Sequence, residues 1–211
     1  LGWQGLESPR FDEHERSSVE AIGYGGAPSA PELVERIQQE FPEVASSNGY
    51  GLTETSSITT SNLAEDYQNR PESAGAAVAV CDVKVVDDQG KDVPSGEVGG
   101  LWSKGPNVVK GYWDKPEATA EAFTDGWLHS GDLVRIDEEG FVFILDRAKD
   151  MLIRGGENIY PIEIENRLVE HPHVTHACVV GVAHNLLGVE GAAVVAVREG
   201  DKLDADEVRA F

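Results

Sequence analysis

The sequence predicts an α/β and α+β protein: the end of a larger α/β domain with a small antiparallel β-barrel-like subdomain, followed by a small α+β domain. Three observations predict this class. A strand, a glycine-rich turn and a helix succeed one another near the start, which is the order of a βα unit. From Ala76 onward, short apolar strands alternate with turn signals. After residues 146–165, helical and strand-like patterns return and stop inside an amphipathic segment.

Composition narrows the class of protein. The 211 residues carry a formal net charge of -21, which argues against nucleic-acid binding, since phosphate contacts need a basic surface. No apolar run approaches the roughly 20 residues of a membrane span, and no secretory signal pattern is present. Cys81 and Cys178 lie in apolar strand-like runs, as buried reduced thiols do. We therefore expect a cytoplasmic protein without a transmembrane segment.

The first element pair is SSVEAIGYGGAP followed by a helix. Residues 19–22 are predicted as a strand, and apolar spacing over residues 32–41, after Pro31, predicts a helix. Open α/β sheets place ligands at the carboxyl ends of their strands, which is where Gly25 and Gly26 fall. The alternative is a tight turn with no ligand.

The segment NGYGLTE (residues 48–54) is the second candidate ligand site. Thr53 and Glu54 set a hydroxyl beside a carboxylate. Such a pair can bind a phosphate oxygen and a divalent cation together, because Mg²⁺ prefers hard oxygen ligands. A plain capped turn is the alternative, and the nearby glycine turn adds weight to the ligand interpretation.

The β-barrel-like region is predicted from alternating valines, a short helix and a hairpin. The segment GWLHSGDL (residues 126–133) precedes the hairpin. We expect Asp132 to lie in a glycine-flanked turn at the start of a strand, where a carboxylate can accept both hydroxyls of a ribose. The alternatives are that Asp132 caps the turn and that His129 is a satisfied surface histidine.

Residues 146–165, DRAKDMLIRGGENIYPIEIE, are interpreted as a hinge that also contributes residues to the function. Charged residues and a glycine pair suit a joint better than a core, because glycine adopts backbone angles that other residues resist. We expect the following boundaries: α/β region 1–70, β-barrel-like region 71–146, hinge 147–150 and small domain 151–211. The small domain is predicted to hold a helix at 161–169, strands at 177–182 and 192–197, and a helix from Asp204.

Taken together, the motifs resemble the adenylate-forming superfamily, and within it the acyl-CoA synthetases, which are AMP-dependent ligases. The resemblance is carried by YGGAP (24–28), NGYGLTE (48–54), GPNVVKGYW (105–113), GWLHSGDL (126–133) and the hinge stretch. In that family a large amino-terminal domain ends near the hinge and a small mobile domain follows.

The resemblance implies a role for each matching residue. Gly25, Gly26 and Ala27 would line the adenine and acyl groove, Asn48 would bind the adenine amino group, and Tyr50 would cover its ring. Thr53 would touch the phosphate and Glu54 would hold Mg²⁺. Asp132 would take the ribose hydroxyls with help from Arg147. Lys149 would be the hinge residue, and Gly155, Gly156 and Glu157 would help form the path for coenzyme A.

The implied reaction activates a fatty or related carboxylic acid with ATP as an acyl-adenylate and transfers the acyl group to coenzyme A. The sequence around 155–165 favours this ligase over a runner-up, an adenylation enzyme that loads a carrier protein. A nucleotide-binding piece without turnover is the third alternative. The family's phosphate loop and its late catalytic lysine do not occur in these 211 residues. We therefore expect this chain alone to be catalytically incomplete. The sequence does not indicate an oligomeric state.

Overall fold

The structure, a computed structural model, describes residues 5–6, 8–26, 31–198 and 200–211, without the side chains of Pro31 and Glu32. The helices are α1 (Pro31–Glu40), α2 (Ala64–Asn69), α3 (Pro116–Ala122), α4 (Pro161–Val169) and α5 (Ala205–Ala210), with short 3₁₀ helices at Phe11–Glu13 and Thr53–Thr55. The strands are β1 (Ala21–Gly25), β2 (Ala45–Tyr50), β3 (Thr60–Leu63), β4 (Ala76–Ala77), β5 (Asp82–Val86), β6 (Val98–Lys104), β7 (Phe123–Thr124), β8 (Trp127–Ile136), β9 (Val142–Arg147), β10 (Leu152–Arg154), β11 (Glu157–Ile159), β12 (Val174–His184) and β13 (Gly188–Val197).

The described chain forms two compact units. The first comprises residues 1–130 and 134–144, and the second comprises residues 131–133 and 145–211. The expected boundaries at 70, 146 and 150 stay a prediction, as does the hinge. None of the helices in the described part of the chain is long and apolar enough to cross a membrane.

A sheet of order β1-β2-β3-β4 belongs to the first unit. β1 and β2 are parallel, whereas β2 with β3 and β3 with β4 are antiparallel. Helix α1 follows β1 and buries Val34 and Ile37, which are 1% and 5% exposed. Their spacing of three puts both on one helical face. The predicted helix is confirmed, but its buried face is formed by Val34 and Ile37 and not by the expected spacing of Leu33, Ile37 and Phe41, because Leu33 is only half-buried and the helix ends at Glu40.

The predicted β-barrel-like region is confirmed as a five-stranded sheet curled into half a barrel. Its order is β5-β6-β8-β7, and β9 also pairs with β8. The core of this region is a cluster of Val85, Leu101, Val134 and Val142. The predicted hairpin after Ile136 is also confirmed, because the Asp137 carboxylate accepts hydrogen bonds from the backbone N–H groups of Glu139 and Phe141 and so closes the turn.

The second unit contains a sheet of order β11-β10-β13-β12 with antiparallel pairings. Helix α4 begins with Pro161 at its first position, and the buried Asp146 carboxylate accepts a hydrogen bond from the Ile162 N–H at 3.4 Å. The Glu165 carboxylate accepts another from the Val179 N–H of β12 at 2.8 Å. The predicted α+β class is confirmed in this unit, but the expectation that Cys178 is buried is wrong, because its side chain lies on the exposed face of β12.

Several predicted strand boundaries are wrong. In the second unit, β12 covers Val174–His184 and β13 covers Gly188–Val197, so both are longer than the expected strands at 177–182 and 192–197. The first strand covers Ala21–Gly25, whereas residues 19–22 were expected, because parallel pairing with β2 runs from Ala21 opposite Ala45 to Gly25 opposite Gly49. The segment beginning at Asn48, for which a plain capped turn was the alternative, is partly strand. Its first three residues complete β2, since Tyr50 pairs with Thr60 of β3.

Candidate functional site

The carboxyl ends of β1 and β2 bring two of the predicted site segments side by side. Tyr24 lies opposite Asn48, and Gly25 lies opposite Gly49. A Cβ atom at position 25 would lie 2.9 Å from the Gly49 carbonyl oxygen, so only glycine fits this close approach. Gly26 follows with φ of +78°. Ala27, predicted to line the same groove, lies outside the described residues.

Asn48 and Tyr50 lie at the end of β2 and are both half-buried. The Asn48 amide donates a long hydrogen bond, 3.5 Å, to the Ser73 carbonyl oxygen. Tyr50 packs against the apolar core cluster of the half-barrel. Their predicted contacts with an adenine ring stay predictions.

A sharply folded loop follows β2 and presents Thr53 and Glu54. The Thr55 hydroxyl accepts a hydrogen bond from the Leu52 N–H at 2.9 Å and donates one to the Leu52 carbonyl at 3.0 Å. Ser56 and Ser57 then adopt positive φ angles of 53° and 106°, which L-residues rarely adopt. The chain returns to the sheet where the Thr59 N–H bonds the Tyr50 carbonyl. Thr53 is exposed at the tip of this loop.

Glu54 is held by the segment GPNVVKGYW from two directions. The Tyr112 hydroxyl donates a hydrogen bond to Glu54 Oε1 at 2.7 Å, and the Val109 N–H donates one to the Glu54 carbonyl at 2.8 Å. The hydrogen bond to Glu54 raises the pKa of Tyr112, and burial and the carboxylate charge add to this shift. Tyr112 is therefore a neutral donor at physiological pH.

The Glu54 carboxylate could coordinate a Mg²⁺ ion that is bound to a nucleotide. Oε1 is engaged by Tyr112, while Oε2 has no hydrogen-bond partner among the described residues. Within the same described ranges, no three His, Cys, Asp or Glu side chains form a metal-binding group. Mg²⁺ is commonly bound through one or two carboxylates, with phosphate oxygens and water completing its shell. The geometry therefore suits a cation that arrives with phosphates.

Asp132 and Arg147 form a pair in the second unit. The expectation that Asp132 starts a strand is wrong: it lies inside β8, because strand pairing continues on both sides of Gly131, whose φ is +77°. Asp132 is 4% exposed, and Arg147 Nε lies 3.4 Å from its Oδ1. The predicted juxtaposition of these two residues is confirmed, and their role toward a ribose stays a prediction.

Lys149 and the glycine pair lie in two turns of the second unit. Lys149 is exposed between β9 and β10, in a turn where the Arg147 carbonyl accepts bonds from the N–H groups of Asp150 and Met151. Gly155 and Gly156 are the two-residue turn between β10 and β11, with φ of +62° and +96°. Positive φ at both central positions is the pattern of a type I′ hairpin turn, which favours glycine at each of them. Glu157 follows, exposed at the start of β11.

His129 is a structural residue of the half-barrel. Its ring stacks on Trp102 with centroids 4.1 Å apart, and its Nε2 lies 3.0 Å from the Thr124 hydroxyl. Burial lowers the pKa of His129 from the ordinary value of 6.5. This agrees with the interpretation of His129 as a satisfied histidine.

In an NMR titration of the whole protein, we expect the His129 imidazole to titrate below pH 6.5. Because its pKa is lower in the folded state, the unfolded state binds more protons as the pH falls, and the free energy of unfolding decreases there. The substitution His129→Gln assigns the resonance and should weaken this pH dependence. A midpoint at or above 6.5 would contradict the expectation.

Sequence reasoning missed the contributions of Asn107 and Tyr112. The Asn107 amide donates to the carbonyls of Thr55 and Ile58, at 3.3 and 3.1 Å, and so ties down the loop that carries Glu54. Both residues stand in the motif GPNVVKGYW, which was recognised as a segment without a role. Only the motif's presence could have drawn attention to them, because 49 to 58 residues separate them from their partners.

Comparisons with known proteins match this arrangement. The family model of AMP-binding enzymes matches residues 4–113, and that of the AMP-binding enzyme C-terminal domain matches residues 163–211. The chain is 41% identical over 207 residues to a feruloyl-CoA synthase of an Amycolatopsis species, covering 96% of the chain and 41% of that protein. It is 37% identical over 208 residues to a medium/long-chain-fatty-acid–CoA ligase of Mycobacterium tuberculosis, covering 98% of the chain and 36% of that protein.

A solved structure shows the same fold. The amide bond synthetase of Marinactinospora thermotolerans superposes with a TM-score of 0.90 at 32% identity, covering 99% of the chain and 42% of that structure. The chain thus spans about two fifths of the length of the relatives that it matches. With a family model matching 4–113, more than half of the sequence, the chain belongs to the family of AMP-binding enzymes.

Proposed function

We propose that the whole protein containing this chain is an ATP-dependent acid–thiol ligase, an AMP-forming acyl-CoA synthetase. It activates a fatty or related carboxylic acid as an acyl-adenylate and transfers the acyl group to coenzyme A. The observation that carries this proposal is the Thr53–Glu54 loop, which extends from parallel β1 and β2 and holds a carboxylate on Tyr112 with one oxygen left for a cation. Relatives named as a feruloyl-CoA synthase and a fatty-acid–CoA ligase support it.

We propose the contacts with ATP that the family resemblance implies, taking each unit by itself. In the first unit, the backbones of Gly25 and Gly26 line the groove, Asn48 and Tyr50 contact the adenine, and Thr53 contacts a phosphate. Glu54 would hold Mg²⁺, which would neutralise phosphate charge when bound. In the second unit, Asp132 accepts the ribose hydroxyls, and Arg147, 3.4 Å away, balances its charge.

The proposed chemistry has two displacements. A carboxylate oxygen of the acid attacks the α-phosphorus of ATP, and the bond to pyrophosphate breaks. The thiolate of coenzyme A then attacks the acyl carbon, and AMP leaves with the bonding electron pair. Negative charge develops on oxygen in both steps, so catalysis rests on positioning and electrostatic stabilisation.

We propose that the second displacement uses the second unit. Lys149 lies in an exposed turn and is the proposed hinge residue. The β10–β11 hairpin, with Gly155, Gly156 and Glu157 at its tip, would help form the path for coenzyme A. The exposure of this tip supports the proposal, since a surface turn can be presented to an incoming thiol without unfolding the sheet.

The test is AMP release from ATP by the whole protein, with and without coenzyme A, over fatty acids of graded length and aromatic acids. We expect one acid class to drive AMP release only when coenzyme A is present. Pyrophosphate release without transfer to coenzyme A would favour a carrier-protein or amine acceptor. The structural similarity to an amide bond synthetase is the reason for including an amine acceptor as the second candidate.

The 211-residue chain measured beside the whole protein is expected to release almost no AMP, because it spans about two fifths of its relatives. The pyrophosphate cradle and late lysine implied by the resemblance are absent from it. A rate comparable to that of the whole protein would contradict this expectation. If the whole protein adenylated none of the acids, the proposed function itself would be overturned.

A further inference from the structure

The contact between Tyr112 and Glu54 is the feature that the proposed mechanism leaves unused. Tyr112 Oη donates to Glu54 Oε1 at 2.7 Å. A glutamate side chain has three rotatable bonds, and Glu54 stands on a loop that is only half-buried. A hydrogen bond to one carboxylate oxygen therefore selects one rotamer and sets where the other oxygen points.

Tyr112 has contacts with α3 and β7 besides its bond to Glu54. The Tyr112 N–H donates to the Thr119 hydroxyl at 2.9 Å, and that hydroxyl donates to the Lys115 carbonyl at 2.8 Å. The Phe123 ring meets the Tyr112 ring edge-on, with centroids 6.5 Å apart. Gly111 has φ of +148°, and a Cβ atom there would overlap the Thr119 side chain. Thr119 of α3 thus holds the Tyr112 backbone, and Phe123 of β7 contacts its ring.

A second bond fixes the backbone of the same glutamate. The Val109 N–H donates to the Glu54 carbonyl at 2.8 Å, so main chain and side chain are both bound by residues 109–112. The backbone bond to Val109 and the bonds from Asn107 already hold the loop in place. The additional phenol acts on the one group that the proposed function assigns to the cation.

We propose that Tyr112 is a positioning residue, whose hydroxyl orients the Glu54 carboxylate so that Oε2 meets a divalent cation arriving with ATP. This inference rests on the proposed function, because it takes Glu54 as the cation ligand. It adds a residue from GPNVVKGYW to the machinery of the site. The role is indirect: Tyr112 acts through Glu54 and touches neither substrate nor metal.

The test compares ATP binding with and without magnesium in the whole protein by calorimetry, which needs no turnover. Tyr112→Phe removes only the hydroxyl. We expect it to weaken binding of MgATP by about 3- to 10-fold, the usual net effect of one hydrogen bond. Binding of ATP in EDTA should stay as in the parent protein. The KM for Mg²⁺ in AMP release should rise by a similar factor.

Two further variants separate positioning from folding. Tyr67→Phe makes the same chemical change at a buried hydroxyl that has no hydrogen-bond partner among the described residues, and should leave the ratio of the two affinities unchanged. Thr119→Val keeps the phenol but removes the acceptor of the Tyr112 N–H. Thr119→Val should lower the ratio of MgATP affinity to ATP affinity in EDTA, as Tyr112→Phe does, but by a smaller factor.

Each outcome decides the inference. An unchanged affinity ratio in Tyr112→Phe, or an equal loss with and without magnesium, overturns it and leaves Tyr112 a structural residue. If the parent protein binds MgATP and ligates acids while the ratio is unchanged, the proposed function stands and only this inference fails. If the parent protein binds no MgATP, the proposed function fails and this inference with it.

Discussion

Replacing Glu54 by glutamine in the whole protein is expected to lower the rate of AMP release by about 100-fold or more. Glutamine keeps the shape and an oxygen that can still accept the Tyr112 hydrogen bond, so the loop should fold as before. It loses the negative charge that would hold Mg²⁺ beside the phosphates. Removing one group that stabilises developing charge typically reduces kcat by about 10² to 10³.

The measurement is AMP release at saturating acid and coenzyme A over a series of magnesium concentrations. The matched control is Glu97→Gln, the same substitution at an exposed glutamate in the turn before β6, which should retain the parent rate. Circular dichroism should show both variants folded. A Glu54→Gln rate within a few-fold of the parent, at every magnesium concentration, would remove Glu54 from the proposed role.

Replacing Gly51 by alanine is expected to give the largest loss of stability among substitutions near the site. A Cβ atom at position 51 would overlap the Ser57 carbonyl and lie 2.9 Å from Ile58 Cα. These are backbone atoms of the Thr53–Glu54 loop, so they cannot turn aside as a flexible side chain can. Overpacking of this kind costs about 1–3 kcal/mol of the free energy of unfolding.

The neighbouring Gly49→Ala is the matched control. A Cβ atom at position 49 would meet only Ile58 Cδ1 at 3.9 Å, which is an ordinary contact. Chemical denaturation of both variants measures the difference. We expect Gly51→Ala to unfold at a clearly lower denaturant concentration than Gly49→Ala, and equal midpoints would show that the loop adjusts to the added methyl group.

Local sequence patterns predicted the elements that depend on neighbouring residues alone. Helix α4 was predicted because Pro161 stands at its first position and apolar residues follow at helical spacing. The hairpin at Asp137 was predicted from turn residues between two apolar strands, and its turn is closed locally by the Asp137 side chain. Boundaries set by pairing with distant strands were missed: β1 ends at Gly25 because β2 extends alongside it, and Asp132 lies within β8 because β8 continues past Gly131.

The sequence by itself determined the family and the segments that carry the site, because each motif is a short run with its own turn, hydroxyl or carboxylate chemistry. The tertiary structure decided which of these segments act on one another. Glu54 and Tyr112 are 58 residues apart, and no periodicity or spacing rule connects residues at that separation. Their hydrogen bond exists because residues 109–112 and the loop after β2 pack against each other within one unit, which only three-dimensional packing determines.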